Sequence, residues 1–141
     1  MKFVLIRHGE TEWNVEQKVQ GKTDIPLNEN GIEQARKFED KDLMSSIEKI
    51  YTSKLQRAKQ TAEIIADKYK LSCDEMDGLE EIDFGIFEGH SWDELKQNYP
   101  DIYWEWRNNR GTSKIHKGES YEETAVRGIQ AMLYMYLSTQ N

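Results

Sequence analysis

The apolar positions of this chain fall into short blocks separated by polar turns. Lys2 to Ile6 (KFVLI) is continuous, β-branched and aromatic and runs straight into a polar turn, which predicts a short buried strand. Asn28 to about Glu39 reads as a helix, with Asn28 as N-cap and Ile32, Ala35 and Phe38 on its apolar face. Lys49 to Thr52 is a second candidate strand. Ser53 to Tyr69 reads as a helix opened by a Ser53–Gln56 capping box, with Leu55, Ala58, Ala62, Ile65, Ala66 and Tyr69 at helical spacing. Ser72 to Met76 is a further short strand. Ser91–Trp92–Asp93–Glu94 resembles a capping box that opens a helix with Leu95 on its inner side. Ser120 to Glu123 opens a last helix, with Ala125, Ile129, Met132, Leu133, Tyr136 and Leu137 on one face. Strands alternating with helices predict an α/β domain with a mostly parallel sheet. No repeat or linker interrupts the 141 residues, so residues 1–141 are expected to form a single domain.

Composition narrows the function classes. The longest apolar run, Ala131 to Leu137, is too short to cross a membrane. A net charge of −7 argues against a general nucleic-acid binder, which carries a basic patch. It does not exclude a phosphate ester as substrate, because a few local arginines can hold a phosphate inside an acidic protein. Trp92, Trp104 and Trp106, with Tyr99 and Tyr103, read as core and lid packing rather than as a base-stacking platform. Cys73 is the single cysteine, which excludes an internal disulfide and points to a cytoplasmic location. His8, His90 and His116 lack the pair spacing of a metal site, and no metal or cofactor is expected.

Chemistry concentrates in Arg7–His8–Gly9–Glu10–Thr11–Glu12–Trp13–Asn14, directly after the first predicted strand. Ligand crevices of open α/β sheets lie beyond the carboxyl ends of strands. Arginine matches phosphate oxygens with a planar fork, a neutral imidazole can attack phosphorus, Gly9 admits close approach, and Asn14 adds a neutral donor. An ordinary surface turn also fits Arg–His–Gly taken alone.

The segment resembles the signature of the histidine phosphatase superfamily (phosphoglycerate mutase-like branch), and the resemblance continues in order. Gln20–Gly21, Asp24, Pro26–Leu27, Gly31 and Gln34–Ala35 resemble the family's next block. Tyr51 to Ala58 with Thr61–Ala62 resemble its second arginine block. Leu79–Glu80–Glu81, Asp83–Phe84–Gly85 and Glu88–Gly89 resemble its acidic block, and Gly118–Glu119–Ser120 with Arg127 its last helix entry. The resemblance implies a three-layer α/β/α fold. His8 would accept the phosphoryl group, Arg7, Arg57 and Asn14 would hold the phosphate, and Glu81 would be the general acid. That role asks for a carboxyl that keeps its proton near neutral pH, which burial would provide. Gln20 and Gly21 would line the substrate mouth. Glu81 also fits a solvated acidic stretch, Gln20 a plain loop residue, and Glu119 and Ser120 a simple helix cap.

The family's second histidine, in a Ser-His-Gly-like turn at the end of another central strand, should follow the last helix, and no such turn precedes Asn141. The resemblance therefore implies a chain truncated at its C-terminal end, with one or more strands missing. A form of only 141 residues would call for a partner copy or a strand exchange. Three functions follow: a phosphatase of small phosphorylated metabolites acting through phosphohistidine; an isomerase of the phosphoglycerate mutase type; and a truncated, non-catalytic phosphate binder. Mutases of the family carry an extra shielding segment after the acidic block. Here only Ser91 to Lys117 intervenes, which favours hydrolysis.

Overall fold

The computed structural model describes residues 2–138. The fold is α/β with a parallel sheet, and it divides into two compact units. One comprises the described part of Met1–Glu12 and Asp24–Asp77, the other Trp13–Thr23 and the described part of Gly78–Asn141.

In the first unit a helix Glu29–Lys37 (α2; α1 is the single turn Glu12–Val15) packs on a helix Gln56–Tyr69 (α4), with a short α3, Lys41–Met44, between them. Strands Lys49–Thr52 (β1) and Ser72–Glu75 (β2) flank α4 in sequence and pair in parallel, Lys49 opposite Ser72 and Thr52 opposite Glu75. Helix α4 is the crossover that a parallel pair requires. Its Leu55, Ile65 and Ala66 are buried, as are Ala35 of α2 and Met44. Asn28 caps α2 as predicted, its side chain accepting from the Gly31 amide at 2.8 Å. At the other end the Lys68 ammonium donates to the carbonyls of Arg36 and Phe38, at 3.1 and 2.8 Å.

The second unit holds a 3₁₀ turn Gly85–Phe87, helices Trp92–Asn98 (α5), Pro100–Asn108 (α6) and Tyr121–Ser138 (α7). Val19, Ile82, Phe84, Phe87, Leu95, Tyr103, Trp106 and Ile115 form one core cluster. Trp92 stacks on Trp106 at 5.2 Å with 7° between planes, and the Arg110 guanidinium lies 4.8 Å from the Trp106 ring centroid. The capping boxes at Ser91–Glu94 and Ser120–Glu123 both form. Pro100 stands at the first position of α6, where its missing N–H does no harm.

Three expectations need correction. Residues 2–10 form no strand, and Phe3, Leu5 and Ile6 are exposed, Leu5 by 86%. Apolar, β-branched character signals a surface to be buried, but a strand also needs a ladder partner. Among the described residues β1 and β2 pair only with each other. Second, Ser53 does not cap α4. The helix starts at Gln56, and Asp24 accepts from the Gln56 amide at 2.7 Å, a cap supplied from far along the chain. Third, the inward face of α7 is not the predicted one. Ala131 and Met135 are buried while Ile129 and Leu133 are 64% and 54% exposed. This helix is apolar nearly all round, so periodicity alone cannot choose a face. Its rotation is set by Arg127, whose hydrogen bonds reach Gly78, Glu80 and Glu81, and by Gly78, which lies close to Ala131 one turn further on.

Removing the long-range cap should destabilise α4. Asp24→Ala is expected to cost about 1 kcal/mol in urea denaturation, and Asp24→Asn, which keeps an acceptor, a few tenths. Equal losses would show that the carboxylate charge, not the cap geometry, carries the effect.

Candidate active site

His8 sits in the turn at residues 8–11, and the first unit holds that turn from three sides. The Gly9 amide donates to Thr61 Oγ1 at 3.0 Å, and the Thr61 hydroxyl donates to the Arg57 carbonyl at 2.7 Å. The His8 turn and the Arg57 backbone are thus two hydrogen bonds apart, joined by a buried threonine bonding back one turn along α4. The Glu10 amide donates to Gln34 Oε1 at 2.9 Å, and the Asn28 amide to the Glu10 carbonyl at 3.0 Å. Finally, Gly9 and Gly31 approach so closely that a Cβ on Gly9 would lie 2.5 Å from the Gly31 carbonyl oxygen, and one on Gly31 would strike the Glu10 backbone. Both positions therefore exclude any side chain. The Glu10 carboxylate accepts from the amides of Asn28 and Asn30, which hold it below the usual carboxylate range, Asn28 most strongly.

The His8 ring lies partly buried with Nδ1 2.7 Å from the Gly9 carbonyl oxygen. A carbonyl only accepts, so Nδ1 carries the proton, and in the neutral ring the lone pair is on Nε2. Arg57, the second residue of α4, is 1% exposed despite its charge, at the helix end whose dipole favours an anion. Arg7 is exposed. The first unit thus brings together Arg7, His8 and Arg57.

The other predicted residues belong to the second unit. Asn14 lies in the α1 turn, half-buried, and its carbonyl accepts from the Gln17 amide at 3.2 Å. Gln20 and Gly21 are buried in a turn closed by Thr23 donating to the Gln20 carbonyl at 3.0 Å. Gly21 has φ +53°, and a Cβ there would collide with the Glu88 carboxylate. Glu88 gathers that loop: it accepts from the Lys22 amide at 2.8 Å, the Thr23 amide at 2.9 Å and the Phe84 amide at 3.1 Å, and from the Thr23 hydroxyl.

Glu81 follows a braced segment. Its side chain is exposed, with Oε1 accepting from the Ile82 amide at 3.1 Å, so the burial expected of a general acid is not found. Around it Arg127 donates to the carbonyls of Gly78, Glu80 and Glu81 and forks onto Glu119, whose Oε2 also accepts from the Asp83 amide at 2.9 Å. The guanidinium holds the Glu119 carboxyl down at about 2. His90 and His116 lie in second-unit loops, His90 packing edge-on to Tyr99.

Sequence reasoning missed the roles of Thr61, Glu88 and Arg127, although all three stand in matched blocks. Thr61 had a readable signal, four residues after Arg57 on a helix.

The exposed Arg7, a histidine protonated at Nδ1 and a buried arginine in the first turn of a helix thus all stand in the first unit. Residues 3–139 match the histidine phosphatase superfamily (branch 1), and the chain belongs to that family. It is 50% identical over 97 residues to "Uncharacterized phosphatase PhoE" of Bacillus subtilis (strain 168), covering 69% of this chain and 50% of that protein. It is 37% identical over 139 residues to "Probable phosphoglycerate mutase GpmB" of Enterobacter sp. (strain 638), covering 94% of this chain and 61% of that protein. Among solved structures, mycobacterial glucosyl-3-phosphoglycerate phosphatase in complex with VO3 superposes with a TM-score of 0.81 at 27% identity, covering 93% of this chain and 65% of that one. The chain thus spans between half and two thirds of the length of these relatives.

Thr61→Val would keep shape and strand the buried Gly9 amide, with an expected loss of about 1–3 kcal/mol in urea unfolding; a loss within error would mean that the link is not tight. A depressed carboxyl stabilises the fold above its ordinary pKa of 4.5 and releases that stability as pH falls toward about 2. Thermal melts of the unsubstituted chain should therefore fall more steeply than those of Glu119→Gln across that window, and parallel curves would refute the ion pair's contribution.

Proposed function

We propose that the protein is a phosphomonoester hydrolase acting on small phosphorylated metabolites through a phosphohistidine at His8. The observation that carries this reading is the Gly9–Thr61–Arg57 link, which fixes the His8 turn to the helix end bearing a buried arginine. Family membership and relatives named as phosphatases support it.

In the proposed reaction the substrate phosphate docks on Arg7, Arg57 and Asn14. His8 Nε2 donates its lone pair to phosphorus, the bond from phosphorus to the ester oxygen breaks, and Glu81 gives its proton to the departing alkoxide. Water then attacks phosphorus, the P–N bond breaks, and the Glu81 carboxylate takes up a proton from that water, releasing inorganic phosphate. Gln20 and Gly21 would meet the alcohol portion of the substrate, on a loop whose shape Glu88 sets. We place the whole in a single domain of a cytoplasmic protein that needs no cofactor.

A mutase reading shares the first half-reaction, and the Enterobacter relative carries that name. The compact stretch from Ser91 to Lys117, filled by α5 and α6, favours hydrolysis. A non-catalytic phosphate binder would bind vanadate without turnover.

His8→Ala in the full natural chain should reduce phosphate release from 3-phosphoglycerate or a sugar phosphate by at least about 10⁴-fold. Rapid-quench mass spectrometry should find one acid-labile phosphoryl group on the unsubstituted protein and none on the variant. Interconversion of 2- and 3-phosphoglycerate without net phosphate would decide for the mutase, and vanadate binding with no turnover for the binder.

A further inference from the structure

We propose that Arg127, aided by Glu119, is a positioning residue for the Glu81 carboxyl rather than only a tie between α7 and the body of its unit. The proposal rests on the reading of Glu81 as general acid.

A guanidinium has five N–H donors, and at Arg127 all five are used. Nε and Nη2 fork onto Glu119 Oε1 and Oε2, each at 2.9 Å. Nη1 donates to the carbonyls of Gly78 at 3.0 Å and Glu80 at 2.7 Å, and Nη2 to the carbonyl of Glu81 at 2.9 Å. Glu119 then takes the Asp83 amide at 2.9 Å, while its own amide donates to the Asp83 carbonyl at 2.8 Å. The carbonyls of Glu80 and Glu81 belong to the two peptide planes on either side of the Glu81 Cα. Holding both planes fixes φ and ψ of Glu81 and with them the direction of its Cα–Cβ bond.

Anchoring a helix to a loop needs one or two of these contacts. Two donors fall on the carbonyls that bracket the Glu81 Cα, with a third on Gly78 just before them, and that placement orients the exposed carboxyl as well as anchoring the helix. Glu81 itself is exposed, so packing does not orient it. Local help comes from the Ile82 amide alone among the hydrogen bonds described for its side chain. Lysine has no planar fork, so Arg127→Lys keeps the charge and loses the geometry.

The test compares two substrates in the full natural chain. Protonating the leaving group matters for an alkyl phosphate such as glycerol phosphate and little for 4-nitrophenyl phosphate, whose phenolate departs readily. A positioned general acid contributes about 10²–10⁴-fold. Arg127→Lys and Glu119→Gln are each expected to lower kcat/KM, which reports phosphoryl transfer to His8 and not the later hydrolysis in which Glu81 also serves, roughly tenfold more for glycerol phosphate than for 4-nitrophenyl phosphate. In a Glu81→Gln background Arg127→Lys should add no further selective loss, because it acts through that carboxyl. Equal losses on both substrates, or a selective loss that persists without the Glu81 carboxyl, overturn the proposal. So does failure of both single variants to melt cooperatively, the mark of a purely structural brace. A Glu81→Gln variant with no leaving-group selectivity of its own removes the acid assignment and the brace with it, and is distinct from failure of Arg127 alone.

Discussion

A backbone amide in a loop has no ladder or helix to satisfy it, and one turned away from water must still find an acceptor. The loops that carry the candidate residues meet this constraint with side chains from elsewhere in their own unit. Gly9 and Glu10 give their amides to Thr61 and Gln34, Lys22 and Thr23 give theirs to Glu88, and Asp83 gives its own to Glu119. At residues 78–81 the sense is reversed, with carbonyls satisfied by Arg127. Each bond contributes about 1 kcal/mol net and the charged ones about 1.5–3 kcal/mol. Their larger effect is geometric, since they set loop conformations that propensity leaves open. The helices beneath supply the acceptors, so the placement of Thr61 depends on α4, which in turn begins at a cap given by Asp24.

Much of the regular structure was legible because its signals are local. Asn28 and the serines at 91 and 120 cap through partners three residues away, and β1 is bounded by its own short apolar run. The failures are non-local. The cap of α4 comes from Asp24, thirty-two residues earlier, where Ser53 offered a plausible local substitute. The run Phe3 to Ile6 carries strand character without a ladder partner among the described residues. In α7 one apolar pattern fits several rotations, and a polar residue, Arg127, selects among them. That choice leaves Ile129, Leu133 and Tyr134 outward, so hydrophobic pattern and burial disagree where a charged anchor outranks apolar spacing.

The candidate site was legible in kind but not in mechanics. His8, Arg57 and Glu81 could be singled out from chemistry and resemblance, yet the burial expected at Glu81 falls instead on Arg57, at 1% exposure. Residue type tells which group can attack, clamp or protonate. What holds that group depends on which distant acceptor reaches its backbone. The Gly9–Gly31 approach illustrates the point: each glycine reads as a generic turn residue, and the reason for both is a contact between them.

The two units hold their loops with different chemistry. Thr61 and Gln34, which fix the His8 turn, do not titrate, and neither does Gln60, which accepts from the Leu27 amide at 2.8 Å. The loops of Gln20–Gly21 and Glu80–Asp83 instead hang on the carboxyl groups of Glu88 and Glu119 and on the Arg127 guanidinium. A covalent phosphohistidine needs its nucleophile in one tautomer at one place whatever the leaving group, and non-titrating partners secure that. A single carboxylate can gather donors from separate positions of a loop, as Glu88 does from Lys22, Thr23 and Phe84. On this division the phosphate end of the proposed reaction is set by the packing of α2 on α4, and its specificity by a handful of carboxyl-held loops.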